Sequence, residues 1–281
     1  MRLATVTTPS GTIFGAVTDR GVIDLHARLG ARHPDLRSLL AEDLPVVPDG
    51  APVDYGFAEI GWLPVVPNPT KIVCVGLNYR DHRAETGNRP TRHPALFLRT
   101  PDSQVGHEQP LVQPRESATL DYEAEIAVVI GRGGRRIPRE RAWHHVAGIS
   151  CYNDGSVREF QRHTAQYTAG KKFPGTGGFG PWLTTMDELA PRLTLSCRVN
   201  GATVQSADTD GMIFPIDEIV EYASTVFTLE PGDVLVTGTP GGVGSRREPP
   251  VFLAPGDVVE VEIGGVGVLR NPVVNDQGCR G

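Results

Sequence analysis

Apolar and polar positions change period several times along the chain. At the start, Leu3, Thr5 and Thr7, then residues 13–17 and 22–25, form short runs separated by glycines, the pattern of strands joined by tight turns. Leu36, Leu39 and Leu40 follow Pro34-Asp35 at helical spacing. Pro45, Pro48, Pro52, Pro64, Pro67 and Pro69 then crowd one stretch, favouring extended chain and turns. This places a boundary near residue 69, between a small N-terminal domain (1–69) and a larger one (70–281). In the larger part the pattern predicts strands over 71–76 (KIVCVG), 95–99, 121–131, 146–152, 193–200, 234–238 and 258–263, and a helix over 216–224. Pro-Gly-Asp occurs at 231–233 and 255–257, each time before a Val-rich strand, which is turn chemistry used twice. The expected fold class is mainly β with short helices (α+β), closed or folded over on itself.

Composition narrows the function classes. With 33 Gly and 24 Pro in 281 residues, a helical bundle or coiled coil is excluded, and the Val/Ile/Leu runs exclude disorder. The net charge of −6 disfavours nucleic acid and anionic membrane surfaces as partners. No apolar stretch reaches the length of a membrane span, and the first 17 residues lack the apolar core of a signal peptide. Cys74, Cys151, Cys197 and Cys279 are scattered, with two in apolar runs, as suits reduced buried thiols. The expectation is a cytoplasmic protein acting on a small molecule.

The segment LDYEAEIAVVI (120–130) is the most informative. Alternation along a strand puts Asp121, Glu123 and Glu125 on one face, within an apolar run that implies burial. A divalent cation would convert their repulsion into attraction, and carboxylate oxygens suit Mg²⁺, Mn²⁺ or Ca²⁺. The competing explanation is a solvated face or pairing with arginine. Asp154 stands where the 146–152 run gives way to a helix-like segment, VREFQRH (157–163), with Ser156 and Glu159 at capping-box spacing. Arg158 and Gln161 follow four and seven residues on and can point to the same side, to hold an oxyanionic substrate; otherwise Asp154 merely caps the helix and pairs with Arg158. His82 and Glu85, three apart on a short helix that Gly87 could end, could form a general base or a plain surface contact. Lys171 in the Gly-rich loop AGKKFPGTGG could be an electrophile toward a developing enolate or a solvated loop cation. TGTPGGVG (237–244) lacks the ending of a phosphate-binding P-loop; a tight loop bringing Thr239 close to a ligand fits better.

Read in order, the motifs KIVCVGLNYRDHRAE, LFLRTPDS, LDYEAEIAVVIGRGGR, YNDGSVREFQ, AGKKF, GPWLTTMDE, LEPGDVLVTGTPGGVG and LAPGDVVEVEIGGVG resemble the fumarylacetoacetate hydrolase superfamily over residues 71–268. The resemblance implies a β-barrel or sandwich roll preceded by a small N-terminal domain, commonly as a homodimer. It implies Mg²⁺ or Mn²⁺ held by Glu123, Glu125 and Asp154, a His82/Glu85 dyad on a lid segment, and an active-site Lys171. Arg158, Gln161 and Thr239 would contact substrate. Two positions depart from the commoner pattern: KKFP (171–174) stands in place of Lys-Ser-Phe-Asp, and Arg99 stands where a lysine is frequent.

The activity so implied is metal-dependent hydrolysis of a C–C bond in a 2,4-dioxo acid (an acylpyruvate or a fumarylacetoacetate-like compound). There His82 would deprotonate water and Lys171 would stabilise the leaving enolate. Decarboxylation or keto–enol isomerisation of an oxaloacetate-like 2-oxo acid is the alternative, and a non-catalytic ligand-binding protein on the same scaffold is a third.

Overall fold

Two β-sheets carry most of the apolar residues. A computed structural model describes residues 1–48 and 50–277, so Cys279 lies outside the described residues. The larger sheet runs in the order Gly21–Asp24, Gly11–Thr18, Arg2–Thr8, Gly177–Thr185, Val146–Asn153, Ala124–Ile130, Val234–Val236, Ile72–Gly76, Ala95–Arg99. The smaller one runs Ala202–Asp208, Thr194–Val199, Val258–Ile263, Gly267–Asn275, Leu111–Gln113. Most ladders are antiparallel, and Val234–Val236 lies parallel to Ile72–Gly76. Helices are few and short, as expected. The longest, Ile216–Val226, buries Ile216, Ile219, Val220 and Ala223 along one stripe.

Alternation explains why the central strands read as unbroken apolar runs. Val73, Val75, Ile126 and Val128 face the smaller sheet and the helix, packing with Cys197, Val261 and Ile219. Their neighbours Ile72, Cys74, Ala127 and Val129 face the other way and pack with Leu3, Phe14, Leu36 and Leu39. Both faces are thus buried, and a period-two pattern has no polar half. The first 69 residues supply four strands to the larger sheet (Gly61–Trp62 pairs with Arg2–Thr8 beside the main order), with Leu3 opposite Leu183, so the boundary near residue 69 falls within a shared sheet and a shared core.

Both Pro-Gly-Asp tripeptides form turns of one design. Gly232 and Gly256 take left-handed φ of 80° and 96°, open to glycine without strain. The aspartate side chain closes each turn by accepting from the backbone N–H three residues earlier, at Glu230 and Ala254. Strands at Gly177–Thr185, Ala202–Asp208 and Gly267–Asn275 were not apparent in the apolar pattern.

Candidate active site

Register brings the two acidic segments together. Glu125 lies opposite Tyr152, and opposed positions share a sheet face. Asp154, two residues past Tyr152, leaves the strand end on that same face. Its N–H donates to the Glu123 carbonyl (2.8 Å), and the Glu123 N–H donates to Asn153 Oδ1 (2.9 Å). One carboxylate oxygen from each of Glu123, Glu125 and Asp154 therefore lies within 4.8 Å of the others, and all three residues are buried.

Asp121 departs from the shared face expected for 121, 123 and 125. The strand is interrupted at Tyr122 and Glu123, and the Asp121 carboxylate turns to a different task. It accepts from the N–H groups of Gly244 (2.8 Å) and Ser245 (2.9 Å) and from Arg158 Nε (2.8 Å).

Three buried cations offset the acids. Lys171 Nζ donates to Glu123 Oε2 and Asp154 Oδ2, each at 2.6 Å. Arg158 Nη1 lies 2.6 Å from Glu123 Oε1. Arg99 donates from Nη1 to Asp154 Oδ1 (2.6 Å) and from Nη2 to Thr176 Oγ1 (2.9 Å). Burial opposes ionisation of Glu123, but Lys171 and Arg158 outweigh it and lower its pKa to about 2. Burial likewise opposes the charge on Lys171, and Asp154 and Glu123 overcome that, holding the ammonium protonated. Glu125 behaves oppositely: burial, then repulsion from Asp154 and Glu123, push its pKa well above the usual carboxylate range. Its hydrogen bond comes from a backbone donor, Gly238 N–H. Three converging hard oxygens with this residual repulsion fit a divalent, oxygen-preferring cation.

The other predicted residues surround this cluster. The helix Arg80–Thr86 ends at Gly87 in the left-handed conformation, as foreseen. On it His82 Nδ1 lies 2.7 Å from Glu85 Oε1, and Glu85 Oε2 accepts from Gly242 N–H (2.9 Å). Burial opposes the Glu85 charge, but the His82 and Gly242 hydrogen bonds prevail and lower its pKa. Thr239 Oγ1 donates to the Ala124 carbonyl (2.9 Å). Gln161 Oε1 accepts from Arg158 Nη1 (3.0 Å). Lys171 ends a one-turn helix, Thr168–Lys171, rather than standing in a loop. The helix expected over 157–163 shrinks to Arg158–Gln161 and its capping box does not form. Ser156 and Val157 are instead held extended against Asp121 and Leu120; Ser156 Oγ donates to the Asp154 carbonyl, and Glu159 accepts from Ser117 Oγ.

His82, Glu123, Glu125, Asp154, Arg158, Gln161, Lys171 and Thr239 all line one cavity of about 300 Å³, with Glu85 behind His82. Sequence reasoning missed three supports. In sequence Arg99 shows only as a departure from a commoner lysine, and strand alternation alone groups Asp121 with Glu123 and Glu125. Gln205, which donates to Thr239 Oγ1 (2.8 Å) and accepts from Ala124 N–H (3.0 Å), lies in a strand the pattern did not reveal.

The family described as fumarylacetoacetate (FAA) hydrolase C-terminal matches residues 71–274. The chain belongs to this family. Among relatives, mitochondrial oxaloacetate tautomerase Fahd2a of Rattus norvegicus is 41% identical over 241 residues, covering 85% of this chain and 74% of the relative. An uncharacterised protein of Archaeoglobus fulgidus is 40% identical over 211 residues, covering 75% and 80%. Among solved structures, fumarylacetoacetate hydrolase from Exiguobacterium antarcticum superposes with TM-score 0.86 at 32% identity, over 98% of this chain and 100% of that one. The 5-carboxymethyl-2-hydroxymuconate delta-isomerase of Mycobacterium smegmatis gives 0.81 at 30% identity, with the same coverage. The fumarylacetoacetate hydrolase family thus includes named tautomerases and isomerases as well as hydrolases. The rat relative is named as mitochondrial, whereas the sequence suggested a cytoplasmic setting. Among the described residues no helix is long and apolar enough to cross a membrane.

Proposed function

We propose that this member of the fumarylacetoacetate hydrolase family is a divalent-metal-dependent keto–enol tautomerase of an oxaloacetate-like 2-oxo acid. The observation that carries the reading is the convergence of Glu123, Glu125 and Asp154 with the Lys171 ammonium in one cavity. That arrangement suits chemistry in which negative charge develops on a substrate oxygen. The names of the relatives favour proton transfer alone over bond cleavage.

Glu123, Glu125 and Asp154 would hold Mg²⁺ or Mn²⁺, which supplies Lewis acidity toward the 2-oxo group and carboxylate of the substrate. Lys171, kept charged by its two carboxylates, would donate to the oxygen on which enolate charge collects. Arg158 and Gln161, already joined, would orient the substrate carboxylate. His82 would move the proton: its Nδ1 is engaged by Glu85, which fixes the ring and leaves Nε2 as the exchanging atom. Thr239, tied to the Ala124 carbonyl, would set the cavity wall beside Glu125.

The same dyad favours a second reading, hydrolysis of an acylpyruvate, because an oriented imidazole is what water activation requires. The two are separated by supplying the Mg²⁺-loaded protein with enol-oxaloacetate and, separately, with a 2,4-dioxo acid. Tautomerisation removes enol absorbance and speeds deuterium entry at C3 without releasing CO₂. Two acids formed rapidly from the dioxo acid, with the enol consumed no faster than in buffer, would instead establish the hydrolase.

A further inference from the structure

The three cations facing the acid cluster are held in two different ways. Besides Asp154 Oδ1, Arg99 donates to the Gly155 carbonyl (3.0 Å), Ser103 Oγ (3.3 Å) and Thr176 Oγ1 (2.9 Å). Arg158 is likewise tied to Asp121 and Gln161 as well as to Glu123. Lys171 Nζ donates only to Glu123 Oε2, Asp154 Oδ2 and, at 3.3 Å, the Asp154 carbonyl, and among the described residues it has no hydrogen-bond partner outside those two acids. The Phe97 ring centre lies 5.3 Å from the ammonium, and both residues line the cavity.

Arginine already holds one oxygen of each acid that Lys171 meets: Arg158 lies on Glu123 Oε1 and Arg99 on Asp154 Oδ1. The oxygens left to converge are Glu123 Oε2 and Asp154 Oδ2, and the ammonium stands between them, 2.6 Å from each. An ion that bridges the two acids through those oxygens takes the place of the ammonium. Charge points the same way. With the three acids ionised, Arg99, Arg158 and Lys171 cancel them, so a divalent ion added to the set leaves two surplus positive charges in a buried group. Withdrawal of one cation halves that surplus. Lys171 alone of the three combines a flexible stem, a cavity to enter and no outside anchor.

We propose that Lys171 is the exchangeable counter-ion of the site: a divalent ion takes Glu123 Oε2 and Asp154 Oδ2 from the ammonium, which then turns along the Phe97 face into the cavity. A compact point charge on a flexible stem suits such an exchange, whereas an anchored guanidinium fork does not. The aromatic face offers the departing ammonium a partial substitute for the acids it leaves. Ion uptake thereby releases the lysine toward a substrate oxygen, so the two electrophiles are brought into use together. The inference rests on the reading that the acid trio takes a divalent ion, but not on which reaction follows.

The chain has three lysines, Lys71, Lys171 and Lys172, so lysine labelled with ¹³C at Cε gives a simple spectrum in which the signal lost on Lys171→Arg substitution identifies Lys171. Titration with Mg²⁺ should shift and narrow that signal while Lys71, bound to Asp233, stays unmoved. In calorimetry with Mg²⁺ alone, Lys171→Met should bind about tenfold or more tightly than the starting protein. Lys171→Arg, whose fork grips both carboxylates, should bind about tenfold or more weakly, and it decides the matter if Lys171→Met does not fold. A Lys171 signal indifferent to saturating Mg²⁺, Mg²⁺ binding by Lys171→Met no tighter than before, binding by Lys171→Arg no weaker, or no Mg²⁺ binding by the starting protein would each overturn the exchange. An exchange seen in a protein that leaves enol-oxaloacetate untouched would sink the tautomerase and keep the counter-ion. A fixed Lys171 in a protein that binds Mg²⁺ and tautomerises enol-oxaloacetate would do the reverse.

Discussion

Arg99 shows how much of the site is decided by single side chains remote from it in sequence. It is 2% exposed and donates to Asp154, the Gly155 carbonyl and Thr176. Arg99→Ala would leave Asp154 without its nearest guanidinium and should cost about 3–5 kcal/mol in urea unfolding. Arg99→Lys should cost less, since a charge remains but the fork is lost. Lys171→Met should reduce turnover of the true substrate by about 10²–10³-fold, the usual scale for losing one preorganised donor to a developing oxyanion. Glu125 supplies a pH-dependent prediction. Its folded pKa is raised, so its contribution to stability is present below the ordinary carboxylate pKa and is lost as pH rises through the raised value. A cation needs the ionised form and compensates that loss. Mg²⁺ at about 100 times its Kd should add about 2.7 kcal/mol. Calorimetric melting of chelator-treated protein should show a larger Mg²⁺ effect at pH 8 than at pH 5.5. The acidic trio was legible because alternation and a strand end are local signals. The task of Arg99 was not, because its partner lies 55 positions away and only sheet register joins them.

Among the elements, the repeated Pro-Gly-Asp turns offer a matched comparison. Asp233 is fully buried; it accepts from Thr70, from the Lys71 backbone and ammonium, and from Glu230 N–H, joining the two parallel strands at their starts. Asp257 accepts from Ala254 N–H and Asn200 Nδ2 at the protein's edge. Asp233→Ala should destabilise by about 3 kcal/mol and Asp257→Ala by about 1 kcal/mol or less, read from chemical denaturation midpoints. The turns themselves were legible, because glycine at positive φ leaves a direct mark on sequence. The strand Gly177–Thr185 was not. Its GGFGPWLTT carries three glycines and a proline and lacks alternation, and its pairing is set by Val146–Asn153 and Arg2–Thr8 on either side.

For the whole molecule, the first 69 residues and the rest are one packing problem. Leu3, Phe14, Ile23, Leu36 and Leu39 cover the face formed by Ile72, Cys74, Ala127, Val129 and Tyr152. That face passes directly into the one bearing Glu125. A chain starting at residue 70 should expose it, bind hydrophobic dyes and melt without a cooperative transition, whereas an autonomous catalytic unit would melt cooperatively. The loop that follows Val234–Val236 is fastened just as widely. Glu125 accepts from Gly238, Thr239 reaches the Ala124 carbonyl, Gly242 donates to Glu85, and Asp121 secures Gly244 and Ser245. One short ribbon of backbone is thus the common hinge-pin of the acid cluster, the imidazole and, through Asp121, Arg158. Selection experiments that randomise it would perturb turnover, affinity and ion retention in a single stroke. New specificities should therefore emerge from libraries at Arg162, Thr164 and Asn88, which line the cavity outside that ribbon.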